Sequence, residues 1–222
     1  MQTIDKVLII PDGHRRYARE NRTTYSEAYC RGGRRAAHLL REAIQGRLFH
    51  SVTLYLVATK NFDERTSANM RTIFEGVSLL FNILLENPIA GARYRTRGDL
   101  SRLPDGVLAP LRALTSEDKP SAAPTVEFLL DYSGIREAQS AMAAESDDYF
   151  RVRPYDIVIR TGKIMRLSDS PIWECSRADM FLIDKYFPDV EAADLRHIRD
   201  EYVDDKANRH TLALLDQSEE TP

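Results

Sequence analysis

Short apolar runs separated by polar segments recur along the chain. They occur at Val7–Ile10, Val52–Val57, Val126–Leu130 and Ile157–Ile159, each bounded by turn-forming or charged residues. Runs of this length and composition are typical of strands that are buried on both faces of a parallel sheet. The segment Arg93–Thr96 predicts a weaker fifth strand.

Between these runs the apolar residues follow helical spacing. Helices are predicted at roughly Ser26–Gly46, Ser67–Glu86, Gly106–Leu114, Gly134–Ala144 and Glu191–Val203. The second of them places apolar residues at i, i+3, i+4 and i+7. Strands that alternate with helices predict an α/β fold with a mostly parallel central sheet flanked by helices. We expect a single domain over residues 1–215 and a flexible acidic tail over 216–222.

Composition narrows the class of protein. The chain has 222 residues, 43% hydrophobic and 29% charged, with a net charge of −3, so it offers no overall field that attracts nucleic acid. The two cysteines, Cys30 and Cys175, form no CxxC pair, which argues against a zinc site or a disulfide scaffold. The longest apolar run, Val77–Leu85, is too short to span a bilayer, and the first residues do not form a signal peptide. These features predict a cytoplasmic protein without a transmembrane segment.

Three polar turns follow candidate strands, at Pro11–Arg16, Ala58–Arg65 and Arg160–Ser168. Ligands of parallel sheets usually bind beyond the carboxyl ends of the strands. The first turn sets the carboxylate of Asp12 beside two guanidinium groups, which suits a diphosphate and its metal ion. The alternative is an ordinary strand-to-helix turn with a solvated basic face. In the third turn the arginines could chelate phosphate oxygens, or they could pair with surface acids.

Several motifs, in order, resemble the cis-prenyltransferase family, whose best-known member is undecaprenyl diphosphate synthase. Asp12-Gly13-His14-Arg15-Arg16-Tyr17-Ala18 is similar to the family's Asp-Gly-Asn-Gly-Arg-Trp-Ala, and Asn61-Phe62 is similar to its Asn-Trp. Further matches are Arg97-Gly98-Asp99-Leu100-Ser101-Arg102, Asp131-Tyr132-Ser133-Gly134, Ile159-Arg160-Thr161-Gly162, Arg166-Leu167-Ser168 and Phe187-Pro188-Asp189. The resemblance is co-linear over about residues 6–203.

The resemblance implies a role for each matching residue. Asp12 would hold Mg²⁺ on an allylic diphosphate, Asn61 would assist proton removal or diphosphate departure, and Asp179 falls where the family has a Mg²⁺-binding Glu. Gly13 and the backbone N–H groups after it would cradle that diphosphate, and Arg16 would bind it directly. Arg160, Arg166 and Ser168 would bind the diphosphate of the second substrate. Other substrate contacts are expected from Arg15, Tyr17, Tyr25, Tyr29, Phe62 and Arg65.

The helix predicted at 67–86 would form one wall of an apolar pocket that shields a carbocation from water. Its lining candidates are Met70, Phe74, Val77 and Phe81. The alternative is a plain core helix.

The chain also departs from the family pattern. His14 and Arg15 replace an Asn and a Gly, and Tyr25 and Tyr29 stand where an Arg and a His contact the allylic diphosphate. The Arg of the second motif is displaced to Arg65, and an acidic residue is lost at Ile164. His14 could be a diphosphate ligand or proton shuttle, or a bystander that hydrogen-bonds a loop. The departures resemble the branch that contains cyclolavandulyl and isosesquilavandulyl diphosphate synthases.

The expected activity is therefore a Mg²⁺-dependent condensation of C5 or C10 allylic diphosphates, head-to-middle, to an irregular C10–C15 product of secondary metabolism. Its substrates would be allylic and homoallylic prenyl diphosphates, and the family implies a homodimer to which Glu191–Val203 contributes. Three alternatives remain open. They are a regular cis-condensing synthase that uses isopentenyl diphosphate, a non-catalytic partner subunit, and prenyl transfer to a non-isoprenoid acceptor.

Overall fold

The computed structural model describes residues 4–219 except positions 118 and 147, with side chains described as far as residue 207. Its centre is a six-stranded sheet in the order β3-β4-β2-β1-β5-β6, in which every neighbouring pair is parallel. The strands are β1 Ile4–Ile10, β2 Phe49–Tyr55, β3 Arg93–Arg97, β4 Thr125–Leu129, β5 Ile157–Thr161 and β6 Asp179–Ile183. The predicted α/β fold with a parallel central sheet is confirmed.

Helices connect the strands and cover both faces of the sheet. They are α1 His14–Glu20, α2 Tyr25–Gln45, α3 Thr59–Glu64, α4 Ser67–Glu86, α5 Asp105–Thr115, α6 Gly134–Ala143, α7 Asp148–Arg151, α8 Ile172–Cys175 and α9 Ala192–Glu219, with a 3₁₀ turn at Phe187–Asp189. A capping box between Thr24 and Glu27 begins α2, and the Thr66 side chain caps α4. No helix in the described part of the chain is long and apolar enough to cross a membrane.

Helices α2 and α4 approach each other at glycine. A Cβ on Gly33 would lie 2.3 Å from the carbonyl oxygen of Gly76, so the two backbones touch at this point. The larger hydrophobic cluster joins α2, α4 and α5 to one face of the sheet, with side chains such as Leu40 and Leu84 at its centre. The contact between α2 and α4 therefore closes the space above the carboxyl ends of β1 and β2 on that side.

The opposite face holds a smaller cluster and a buried charge network. Glu174 is 1% exposed and pairs with Lys6 and, at 2.7 Å, with Arg97. Arg97 also lies 3.3 Å from Glu137. Because these ions are mutually paired, the network joins β1 and β3 to helices α6 and α8.

The structure adds elements that the apolar pattern did not predict. The helices α3, α7 and α8 are only four to six residues long, too short to show helical spacing. The edge strand β6 contains the apolar run Met180–Ile183, which was not assigned as a strand. Residues 216–219 of the expected flexible tail continue α9, and residues 220–222 lie outside the described part. The proposed domain boundary at 215 stays a prediction.

Candidate active site

Asp12 lies directly beyond the carboxyl end of β1, in a turn fixed by its neighbours. Its backbone N–H donates to Oγ1 of Thr161 at 2.9 Å, and its carbonyl accepts from the N–H of Phe187 at 3.0 Å. The next residue, Gly13, has φ +102°, and a Cβ there would lie 2.6 Å from the ring of Tyr186. Only glycine fits this position, because the backbone is left-handed and the Tyr186 ring covers it.

The Asp12 carboxylate is held by two arginines. Oδ2 lies 2.5 Å from Nη2 of Arg160 and 3.3 Å from Nη2 of Arg16, and Oδ1 accepts from the N–H of Gly13 at 2.6 Å. Burial raises the pKa of Asp12, but the hydrogen bond and charge of Arg160 outweigh burial and lower the pKa below its usual value. Asp12 is therefore ionised at neutral pH.

Arg160 is the buried member of this site. It is 2% exposed, and its Nη1 donates to the carbonyl of Arg166 at 2.5 Å and to Oγ of Ser168 at 2.8 Å. Its Nε is buried without a hydrogen-bond partner in the part of the chain that the structure describes. The guanidinium thus ties the end of β5 to the loop that follows it and to the Asp12 turn.

These groups line a cavity of about 320 Å³. Its mouth is cationic, with Arg15, Arg16, Lys60 and Arg65 beside Arg160 and Arg166. Its floor is apolar and is formed by residues of α2 and α4, which are Gly32, Gly33, Ala36, Ile73, Gly76, Val77 and Leu80. A cationic mouth above an apolar floor suits an anionic ligand with an apolar tail.

His14 lies in an aromatic cluster at the cavity wall. Its ring stacks on Tyr29, with centroids 4.6 Å apart, and lies 5.6 Å from the ring of Phe187. Burial lowers the pKa of His14 to about 4; nearby Asp12 opposes the shift and Arg65 adds to it. His14 is therefore neutral at pH 7. It can accept a proton there, but it supplies no positive charge to a diphosphate.

Tyr29 connects this cluster to the second turn. Its hydroxyl accepts from Nη1 of Arg65 at 2.7 Å. His14, Tyr29 and Arg65 are all positions at which the chain departs from the family pattern. Their contacts show that the departures form one linked group at the cavity.

Most of the residues predicted to form a site meet at this cavity. Its lining includes Asp12, Gly13, His14, Arg15, Arg16, Tyr29, Asn61, Arg65, Val77, Arg160, Arg166 and Ser168. Residues of all three polar turns therefore line one cavity, and the roles predicted for them stay predictions.

Two predicted tyrosines lie elsewhere. Tyr17 is buried and Tyr25 is partly buried, in a small cluster with Ala18, Ala28 and Tyr186. Neither is among the residues that line the cavity. Substrate contact by these two tyrosines stays a prediction, and the structure gives both a packing role.

The apolar stripe of α4 divides among three environments. Val77 lines the cavity, whereas Met70 and Phe74 line a second, open groove of about 790 Å³ between α4 and α5, together with Phe62. Phe81 is fully buried and packs edge-on against Phe128, with centroids 4.9 Å apart. Because its ring is enclosed by the core, Phe81 does not form the cavity wall. This corrects the prediction that Phe81 lines the apolar pocket.

Asp179 and Asp12 lie at opposite ends of the parallel strands, Asp179 at the amino end and Asp12 beyond the carboxyl end. Asp179 begins β6 and pairs in register with Ile157, the first residue of β5, whereas Asp12 lies two residues beyond Ile10, the last residue of β1. Five strand positions at about 3.3 Å each separate the two levels, roughly 17 Å. The expected joint metal site is therefore not assembled within one chain. No group of three metal-ligating side chains occurs among the described residues.

Several residues at the cavity were not predicted from the sequence. Lys60 and Phe187 line the cavity, and Thr161 fixes the Asp12 turn. Phe187 and Thr161 lie inside the motifs Phe187-Pro188-Asp189 and Ile159-Arg160-Thr161-Gly162, so these motifs could have identified them as site residues. Ile73 and Leu80 share the helical spacing of Val77, but spacing alone does not tell which side of the stripe faces a cavity.

Comparison with known proteins agrees with this geometry. A family model described as putative undecaprenyl diphosphate synthase matches residues 10–210. A tritrans,polycis-undecaprenyl-diphosphate synthase (geranylgeranyl-diphosphate specific) of Pyrobaculum aerophilum is 26% identical over 218 residues, covering 88% of this chain and 91% of that protein. An isoprenyl transferase of Campylobacter jejuni is 23% identical over 215 residues, covering 91% and 96%.

Two solved structures share the fold. Lavandulyl diphosphate synthase from Lavandula x intermedia, in complex with dimethylallyl diphosphate, superposes with a TM-score of 0.74 at 19% identity, covering 90% of this chain and 95% of that one. A probable undecaprenyl diphosphate synthase from Campylobacter jejuni gives a TM-score of 0.70 at 23% identity, covering 91% and 96%.

Proposed function

Because the chain belongs to the undecaprenyl diphosphate synthase family of cis-prenyltransferases, we propose that it joins C5 and C10 allylic diphosphates head-to-middle into an irregular, lavandulyl-type C10–C15 product. That it is a prenyltransferase follows from the family. The observation that carries the finer proposal is the small cavity. Its volume of about 320 Å³ is near the lower end of the range for small-ligand sites, about 300–1,000 Å³.

The cationic mouth divides between two diphosphates in this proposal. Arg15 and Arg16 bind the allylic diphosphate beside Asp12, and Arg166 and Ser168 bind that of the second substrate. Cleavage of an allylic C–O bond leaves negative charge on the departing diphosphate, which these guanidinium groups stabilise. Asn61 lies at the same mouth, where it assists diphosphate departure or proton removal.

The apolar floor protects the carbocation that forms when the allylic C–O bond breaks. Ile73, Val77 and Leu80 exclude water, which would otherwise capture a carbocation. The rings of Tyr29 and Phe187 line the same cavity, and aromatic faces attract cations. The neutral His14 between them is a group able to accept the proton released after coupling.

The donor set fits Mg²⁺ at Asp12. Mg²⁺ is usually held by one or two carboxylates together with substrate phosphates and water, and Asp12 presents one ionised carboxylate to the cavity. When bound, the ion would neutralise diphosphate charge. Asp179 would require a partner outside this cavity, and its metal role remains a proposal without geometric support.

One feature supports the irregular product over the regular one. His14, Tyr29 and Arg65 alter the surroundings of the allylic diphosphate in a linked way. The fold itself is shared with a lavandulyl diphosphate synthase and with a probable undecaprenyl diphosphate synthase, and it is compatible with both products. The curated relatives favour the second candidate, a regular cis-prenyl diphosphate synthase that uses isopentenyl diphosphate. A non-catalytic partner subunit is disfavoured, because Asp12, Asn61 and Arg160 meet at one cavity.

A homodimer is part of the proposal, and exposed apolar side chains indicate its surface. Met180 and Leu182 on β6 are each 38% exposed, and Trp173 is 44% exposed. In α9, by contrast, Leu195 and Ile198 are buried against their own domain. We therefore place the contact at the β6 edge rather than mainly on residues 191–203. Light scattering of wild type and Leu182→Asp tests this dimer contact. Wild type should be dimeric and Leu182→Asp monomeric, and a monomeric wild type would contradict the dimer.

Product analysis tests the function. Purified protein with Mg²⁺ receives dimethylallyl diphosphate alone, or isopentenyl diphosphate with dimethylallyl or geranyl diphosphate. A branched or cyclic C10 product from dimethylallyl diphosphate alone is the expected result. A linear cis product that requires isopentenyl diphosphate would replace the proposal with the regular synthase.

A further inference from the structure

Two motifs noted in the sequence have no part in the cavity, yet they meet in the structure. Asp131 follows the end of β4, and Arg102 lies in the loop between β3 and α5. The Asp131 side chain is fully buried and receives two hydrogen bonds of 2.6 Å, one from Nε and one from Nη2 of Arg102. Such a bidentate pair fixes the plane of the guanidinium.

The fixed guanidinium covers an aromatic ring. The central carbon of the Arg102 guanidinium lies 4.1 Å from the ring centroid of Phe62, and Phe74 lies 6.0 Å from the same ring. Arg102 also approaches Asp63 to 4.0 Å. Phe62 is thus held between an anchored cation and a helix of the main core.

Phe62 belongs to α3, a six-residue helix without a buried residue. The other described contacts of α3 are polar. Thr59 N–H donates to the carbonyl of Tyr132 at 3.0 Å, and Oδ1 of Asn61 accepts from the N–H of Ala58 at 3.1 Å. Phe62 is the side chain through which α3 packs against the larger hydrophobic cluster, so the position of α3 depends on how that ring is held.

We propose that Arg102, oriented by Asp131, is a positioning residue that acts through Phe62 to hold Asn61 and Lys60 at the mouth of the cavity. This inference rests on the proposed function, because it assigns Arg102 a part in the same reaction. Arg102 does not line the cavity. Its effect on turnover must therefore pass through the position of α3.

Arg102→Lys tests the proposal, since it keeps the charge but loses the planar, bidentate group. A small misplacement of a catalytic group can cost about 100-fold in rate, so kcat is expected to fall by about 10- to 100-fold. The KM of the second substrate should change less than about twofold, because Arg166 and Ser168 stay in place. Arg153→Lys is the matched control; Arg153 pairs with Asp5, away from the cavity, and kcat should not change.

The double variant separates positioning from general weakening. Phe62→Leu should reproduce the loss of kcat, and Arg102→Lys added to Phe62→Leu should cause little further loss, because both act through one contact. Losses that multiply, or an Arg102→Lys variant with wild-type kcat, would overturn the inference.

Amide hydrogen exchange gives a readout that does not need turnover. Arg102→Lys should speed exchange in residues 59–64 and leave the middle of α4 unchanged. Unchanged exchange in α3 would refute the positioning role. Wild-type protein that is inactive with every diphosphate would instead refute the proposed function, so the two failures remain distinguishable.

Discussion

The carboxylate of Asp12 and the guanidinium of Arg160 form an ion pair of 2.5 Å across the ends of the neighbouring strands β1 and β5. Arg160 is almost fully buried, while the Asp12 side chain is 29% exposed and faces the cavity. Because Arg160 also donates to the loop that carries Arg166 and Ser168, this ion pair connects the two candidate diphosphate sites. A metal ion held by Asp12 would therefore share this carboxylate with Arg160 and with the N–H of Gly13.

Asp12→Asn should abolish turnover, because the amide cannot hold Mg²⁺ as a carboxylate does. Asp12→Ala should have the same effect and also lower the free energy of unfolding, by about 1–3 kcal/mol, since it leaves the buried Arg160 short of a partner. The turn thus contributes more stability than a surface carboxylate would. Steady-state kinetics and denaturant unfolding measure the two effects; an active Asp12→Asn would remove Asp12 as a metal ligand.

Because the pKa of Asp12 is lowered in the folded protein, ionised Asp12 stabilises the fold at neutral pH and this stabilisation is lost in acid. A carboxyl whose folded pKa lies below its unfolded value of about 3.8 stabilises the fold above that pH and loses the contribution as the pH falls through the folded pKa. Asp12→Asn should therefore flatten the loss of thermal stability below about pH 4. Equal acid slopes in the variant and in wild type would contradict the Asp12–Arg160 pair in solution.

His14 should titrate near pH 4 instead of near 6.5, because burial disfavours its charged form. Between these values the unfolded chain binds a proton that the native protein does not, so stability should fall as the pH drops from about 6.5 to 4. An NMR titration of the His14 ring measures the midpoint, and the same ring in the urea-unfolded protein gives the reference. His14→Gln should reduce the slope of melting temperature over the same interval. A midpoint near 6.5 would place His14 in water.

The two sides of α4 should respond differently to truncation. Leu80→Ala deepens the cavity floor and should lengthen the product, whereas Phe74→Ala widens the open groove and should leave product length unaltered. Phe81→Ala should destabilise the protein by about 3–5 kcal/mol, because the side chain is removed from the core. Product analysis and unfolding of all three variants check this division. Longer products from Phe74→Ala would assign the groove to the substrate.

Local sequence patterns predicted the sheet and most of the residues that meet at the cavity, because the carboxyl ends of parallel strands lie at the same end of the sheet. Arg160 and Asp12 are 148 residues apart, yet each lies within two residues of the end of a recognisable apolar run. The division of α4 was not predictable in the same way. Val77 and Phe81 lie one turn apart on one apolar stripe, and only the packing of α2 and β4 decides which of them meets a cavity. The position of Asp179 was not predictable for a related reason: motif order gave its place in the chain, while strand register placed it at the start of β6, and its metal role stays a prediction.

The buried Glu174 should contribute strongly to stability. Glu174→Gln removes the carboxylate that Lys6 and Arg97 share, whereas Arg97 keeps its pairs with Glu127 and Glu137, so the free energy of unfolding should fall by about 1–3 kcal/mol. Glu42→Gln is the control, because the Glu42–Arg196 pair is about half exposed and such pairs contribute about 1 kcal/mol or less. Urea unfolding of both variants measures the difference. Equal midpoints would show that solvent screens the Glu174 network.

Arg166 should act on the second substrate without supporting the fold. Its side chain is exposed at the cavity mouth, whereas the contact with Arg160 uses its backbone carbonyl and survives substitution. A hydrogen bond to a charged group contributes about 1.5–3 kcal/mol, so Arg166→Ala should raise the KM of the second substrate by about 10- to 100-fold. The melting temperature should remain unchanged. Arg112→Ala, an exposed arginine of α5, controls for loss of surface charge. An unchanged KM in Arg166→Ala would move the second diphosphate away from this loop and leave Arg160 as a residue that only shapes the Asp12 turn.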